Sequence, residues 1–194
     1  TQCQVYKNPS KANKKIKTAI KRTAGKILTW NQKPINTVYH ATNGGVMAQV
    51  DEAWSTNPVP YLKMRVDGPN RWSREVDLPL SNEKYLKSFL FSESEAFGSN
   101  HPLFRWNRTL ESSEVFLKLK QAKKVSNSFF PKIIQPVRRG NSGRVTSLKI
   151  VGNTGSEIFL RLDEIRGVLR NLPSTLFVVK EIKEGKWLFS GGGF

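Results

Sequence analysis

The sequence predicts an α+β fold: mostly antiparallel, curved sheets with three or four helices on their outside. Two observations lead there. Short β-type runs recur along the chain, closed in its second half by the turn sequences Gly140-Asn141-Ser142-Gly143 and Gly152-Asn153-Thr154-Gly155. Between them lie stretches with apolar residues at helical spacing behind Ser or Asp caps. At 194 residues and 38% hydrophobic, the chain fits one ordinary domain with a real core, 1–194. No internal repeat or linker divides it. Eleven Phe and five Trp exclude a disordered tail, and no run of about 18 apolar residues offers a membrane span. The opening Thr1-Gln2-Cys3-Gln4 has neither an initiator Met nor a signal peptide, so we read the chain as a piece of something longer.

Cys3-Gln4-Val5-Tyr6 has the pattern of a strand end. Ser10 to Thr23 predicts a helix: Ser10 can cap it, Ala12, Ile16, Ala19, Ile20 and Thr23 share a face, and Gly25 follows its end. Lys14, Lys17 and Lys21 take another, solvated face. Ile27–Trp30 and Ile35–His40 predict strands joined through Asn31-Gln32-Lys33-Pro34. Tyr39-His40 then leads through Ala41-Thr42 into Asn43-Gly44-Gly45. There the glycines permit positive φ and bring backbone N–H groups close to whatever faces them.

Val46–Trp54 and Tyr61–Val66 predict strands on either side of Pro58-Val59-Pro60. On such a strand Asp51 and Glu52 point to opposite sides and cannot form a facing acid/base pair, so Glu52 has a structural or orienting role. Trp54 and Tyr61 are flat and amphipathic enough to stack on sugars, and Trp54 fits a core position equally well. Asp67-Gly68-Pro69-Asn70 is a turn. Ser81 caps a helix to Phe91, with Leu80 and Tyr85 as a staple pair. His101 lies in a polar loop, exposed and inert.

Phe104–Arg108 predicts a strand, and Ser112 or Ser113 begins a helix bearing Val115, Phe116 and Leu119. Ile133–Arg139, Arg144–Val151 and Ser156–Leu162 form a meander. Asp163 caps a short helix with Ile165, Val168 and Leu169, and Leu176–Val179 pairs with Trp187–Phe189 around Glu184-Gly185.

Thirty-two Lys and Arg against fifteen Asp and Glu give a net charge of +17. General attraction to anionic surfaces, nucleic acid or an anionic wall polymer would each account for it. The basic helix lacks the interleaved aromatic or amide side chains that read base edges, so nucleic acid is not the expected partner. One cysteine excludes an intrachain disulfide and leaves the compartment open.

Several blocks, in order, resemble the sporulation stage II protein D family, also called the amidase-enhancer domain. They are Thr23-x-Gly25, Tyr39-His40-x-Thr42-x-Gly44-Gly45, Glu52-x-Trp54, Pro60-Tyr61-Leu62, Ser142-Gly143-Arg144-Val145, the stretch from Glu164 to Phe177, and Phe189-Ser190-Gly191-Gly192-Gly193-Phe194. No block is specific alone; their order carries the resemblance.

It implies an exported, periplasmic or wall-associated protein directed at peptidoglycan glycan strands. Its chemistry is similar to that of a lytic transglycosylase, cleaving between N-acetylmuramic acid and N-acetylglucosamine in strands stripped of stem peptides. One glutamate serves as general acid, then base. In the family that glutamate lies on a helix ahead of the Gln-x-Tyr block, so no catalytic residue is expected among 1–194, nor the Gly-His-Gly motif that follows the final glycines. The resemblance makes Gln4, Tyr6, His40, Thr42, Asn43, Gly44 and Gly45 substrate-facing, with Asn43 where Ser or Cys is more usual; Trp54 and Tyr61 join them as sugar-stacking candidates. Some members bind zinc through Cys and His; Cys3 and His40 fall short of four ligands, so no cofactor is expected. A non-catalytic enhancer that binds the wall and stimulates an amidase is the first alternative, and a basic nucleic-acid-binding domain the second.

Overall fold

The computed structural model describes residues 8–54 and 56–194. By its internal contacts the chain divides into two compact units, Thr1–Tyr39 and His40–Phe194.

The described part of the first unit is a 3-10 turn at Pro9–Lys11, helix α1 (Lys14–Thr23), and a hairpin of β1 (Thr29–Trp30) and β2 (Lys33–Pro34). The helix starts later than Ser10 because Asn13 caps it, its Oδ1 accepting from the Ile16 N–H at 3.0 Å. Asn31 and Gln32 both have positive φ, which makes the hairpin turn two residues long. The last cross-hairpin bond is from the Ile35 N–H to Leu28 O at 3.1 Å, and the expected strand from Ile35 to His40 does not form.

The second unit is α+β, and its paired strands are all antiparallel. It contains β3 (Val46–Met47), α2 (Val50–Ala53), β4 (Arg65–Val66), α3 (Asn70–Glu75), α4 (Glu83–Phe91), β5 (Trp106–Glu111) and α5 (Ser112–Gln121). There follow β6 (Pro131–Arg139), β7 (Val145–Gly152), β8 (Glu157–Arg161), α6 (Asp163–Val168), β9 (Phe177–Lys183) and β10 (Lys186–Gly191). They form three sheets: β3-β4, β5-β10-β9 and the β6-β7-β8 meander. Among the described residues six α-helices stand where three or four were expected, because α2, α3 and α6 are only four to six residues long.

Two clusters make the core. One gathers Trp106, Leu110, Val115, Leu119, Leu148, Ile150, Phe177, Trp187 and Phe189; the Phe177 and Phe189 rings meet edge-on at 5.3 Å. The other packs Val46, Val66, Trp72, Leu80, Leu86, Phe89 and Phe104 against Leu176 and Val178 of the β8–β9 region. Burying each such aliphatic or aromatic side chain contributes about 1.5–3 kcal/mol. Leu80 is fully buried and Tyr85 packs on its cluster, as a staple pair would, although Asn82 rather than Ser81 caps α4.

One expected strand is replaced outright. Val46–Trp54 pairs only over Val46–Met47, then turns into α2. The Val50 N–H donates to the Leu62 carbonyl at 3.1 Å, and the buried Glu52 side chain is held by a distant turn. These are non-local contacts that the local pattern does not contain.

Candidate functional site

The second unit begins at a corner, His40 to Val46, whose polarity is consumed almost entirely from within. Thr42 and Asn43 are 5% and 4% exposed, and the glycines that follow are buried too. Gly44 and Gly45 take φ of +71° and +92°, which lets the chain turn back on its own side chains. Thr42 Oγ1 accepts from the Gly44 N–H at 3.3 Å, and Asn43 Oδ1 accepts from the Gly45 N–H at 2.8 Å. The two glycine amides are therefore not offered outward, as the sequence suggested; they are bonded inside the corner.

The five successive carbonyls from Thr42 to Val46 are all bonded as well. The Phe194 N–H donates to Thr42 O at 2.7 Å and the Asp67 N–H to Gly45 O at 2.9 Å. Arg144 reaches Asn43 O and Val46 O, both at 3.1 Å. Arg105 reaches Gly44 O at 2.8 Å, and also donates to the carbonyls of Phe89, Leu90 and Phe104. Burial pulls both guanidinium pKa values down to about 10. For Arg144, the Glu52 carboxylate acts in the opposite direction.

Behind the corner runs the final glycine stretch. A side chain on Gly44 would stand 2.7 Å from the backbone of Gly192 and Gly193, so two glycine segments touch directly. Ser174 Oγ donates to Gly192 O at 2.6 Å, and the Trp106 indole to Gly193 O at 3.1 Å. The blocks around Gly44, Arg144, Ser174 and Gly192, far apart in sequence, thus converge on one place.

His40, with Ala41 beside it, is exposed where the rest of the corner is buried. Partial desolvation holds its imidazole below the ordinary histidine range, Arg144 pushes the same way, and Asp67 opposes them. Asp67 also accepts from Asn43 Nδ2 at 2.6 Å, so its carboxylate is fixed by the corner itself. It further lines an open groove of ≈ 400 Å³, with Met47, Met64, Arg65, Leu78 and Phe97 among the walls. His40 is not itself a wall of that groove; it is linked to it through the field of Asp67, and its imidazole can donate and accept hydrogen bonds to a polar ligand.

Of the other candidates, Trp54 is 42% exposed, which rules out the core position, and Tyr61 is half-buried. They flank the Val50–Leu62 hydrogen bond that ties α2 to the chain ahead of β4. Gln4 and Tyr6 lie outside the described residues. Among the described residues, no three His, Cys, Asp or Glu side chains are grouped to hold a metal. Asp67, Arg105 and Arg144 were missed as site-builders. Asp67 reads as part of a turn, and an arginine in a chain of this charge reads as surface.

Residues 48–194 match the family described as Domain of unknown function (DUF8618). The chain belongs to that family. The DUF8618 match includes Arg105, Arg144 and Gly191–Gly193, the groups that hold the corner, and begins just after the corner itself. Part of the chain is also similar to part of stage II sporulation protein D. The protein of that name from Bacillus amyloliquefaciens is 34% identical over 103 residues, covering 47% of this chain and 27% of the relative. That from Bacillus subtilis (strain 168) is 42% identical over 50 residues, covering 26% and 14%. The alignments thus take in well under a third of either relative's length.

Proposed function

We propose that this DUF8618 chain is a sporulation-associated, cell-wall-directed domain that takes peptidoglycan glycan strands at the His40 corner. The observation that carries the reading is local. His40, exposed together with Ala41, heads the buried and hydrogen-bonded frame of 42–46 and feels the charge of Asp67, which also walls a groove. The partial relation to stage II sporulation protein D supplies the biological setting.

In this reading the frame residues Thr42, Asn43, Gly44 and Gly45 position the site from beneath, while His40 meets the sugar. Exposed Trp54 and half-buried Tyr61 offer flat faces for pyranose rings. The charge of +17 helps the domain hold an anionic wall polymer in the cell envelope. The reaction is glycan cleavage of the lytic transglycosylase type, between N-acetylmuramic acid and N-acetylglucosamine of peptide-free strands. The acid/base glutamate comes from a segment ahead of Gln4.

The test is retention of the chain on glycan strands stripped of stem peptides, on intact peptidoglycan and on duplex DNA, across a salt series. Stripped glycan should be bound at salt that releases DNA, because phosphate contacts weaken steeply with ionic strength. His40→Ala should weaken glycan binding up to roughly tenfold, the worth of a hydrogen bond or two. DNA binding stronger than glycan binding at every salt would overturn the reading. Wall binding without cleavage by the longer protein, coupled to stimulation of an amidase, would replace the enzyme with the enhancer.

A further inference from the structure

Helix α1 is amphipathic, yet none of its residues is buried. Ile16 and Ile20 are 49% and 62% exposed, and with Ala19 they lie at the i, i+3, i+4 spacing that makes one face. At 100° per residue, Lys15 and Lys17 flank that face on either side, with Lys14, Lys21 and Arg22 behind. The same unit exposes Ile27 and Leu28, 70% and 66%, ahead of the hairpin. Residues 1–39 hold eight Lys, one Arg and no Asp or Glu, so they carry nine of the chain's seventeen net positive charges.

We infer that α1 is a membrane-surface helix, lying on an anionic lipid bilayer with Ile16, Ala19 and Ile20 in the headgroup–acyl boundary. Two requirements select this occupant. The cations need an anionic partner, and the isoleucines need an apolar phase. Nucleic acid and anionic wall polymer meet the first requirement only. Lysines beside the apolar face suit this placement, since their stems cover apolar surface while their ammonium groups stay among headgroups. The helix lies on the bilayer rather than through it: no described helix is long and apolar enough to cross. This inference does not rest on the glycan-binding reading.

The experiment is co-sedimentation of the full chain with vesicles of phosphatidylcholine alone or mixed equally with phosphatidylglycerol. The chain should bind the mixed vesicles and not the neutral ones. Lys14→Gln/Lys17→Gln/Lys21→Gln should lower the partition coefficient about a hundredfold, several-fold for each lysine near the surface. Ile16→Ser/Ile20→Ser should lower it at least about tenfold. All the substituted positions are exposed, and unchanged circular dichroism and thermal unfolding confirm that the variants fold. Three results would overturn the inference: no binding to anionic vesicles, binding unaffected by the isoleucine changes, or a wild-type dimer in sedimentation that those changes abolish. The last would show that a second copy covers the face.

Discussion

Ser142 donates both its backbone N–H and its hydroxyl to the same carboxylate oxygen of Glu52, ninety positions earlier in the chain. Gly140 leaves the space: a side chain there would lie 2.2 Å from the Glu52 carboxyl carbon. The bond fastens α2 to the β6–β7 turn, two residues before the arginine that holds the corner.

Glu52→Ala should therefore destabilise the protein by about 2–4 kcal/mol, since it strands buried donors of Ser142 and removes the carboxylate that supports Arg144's charge. Urea unfolding measures it. A loss under about 0.5 kcal/mol would show that water replaces the carboxylate freely.

Gly44→Ala and Gly98→Ala form a matched pair. Both glycines have positive φ, +71° and +72°, but an added side chain meets Gly192 and Gly193 backbone at 2.7 Å in the first and nothing within 4 Å in the second. Gly98→Ala should cost about 1 kcal/mol of backbone strain. Gly44→Ala should cost clearly more, about 3 kcal/mol, because two backbone segments must separate. Equal losses in thermal unfolding would refute the close approach of the corner and the chain's last glycines.

Arg105 places its guanidinium among four carbonyls and 4.1 Å from the centre of the Phe104 ring. Lysine cannot reproduce that planar fork, so Arg105→Lys should lower stability by about 2 kcal/mol despite keeping the charge. A neutral outcome in urea unfolding would mean the carbonyls are satisfied without it.

How much of this the sequence revealed depends on whether each feature is local. The β6-β7-β8 meander was legible because its turns carry Gly and Asn at both bends; Val145, Leu148 and Ile150 of β7 are all buried. The chain corner at Asn43-Gly44-Gly45 was legible as a positive-φ turn, but its amides turned inward because Thr42 and Asn43 supply acceptors two residues away. Helix α2 was not legible, since Val46–Trp54 satisfies a loose strand pattern and the contacts that decide it come from Leu62 and Ser142. Asn13 and Asn82 displaced Ser10 and Ser81 as caps, as asparagine is as good a cap as serine and neighbouring candidates compete on geometry alone.

His40 supplies a pH dependence. Its imidazole binds a proton less readily in the folded protein than in the unfolded chain, because burial and Arg144 outweigh Asp67. The contribution to stability is thus complete above the unfolded value of about 6.5 and declines as pH falls towards the folded midpoint, then levels off. Asp67→Asn removes the opposing charge and should lower the midpoint further. An imidazole proton titration by NMR reads both, and a midpoint that rises in Asp67→Asn would contradict the electrostatics described here.

The most direct measurement of the central claim follows the backbone and imidazole NMR signals of the labelled chain during titration with short, peptide-free glycan fragments. The account predicts saturable shifts at His40 and Asp67, extending to residues lining the groove such as Arg65 and Phe97, and lost in His40→Ala. Saturable glycan binding that leaves His40 and Asp67 unmoved would contradict it.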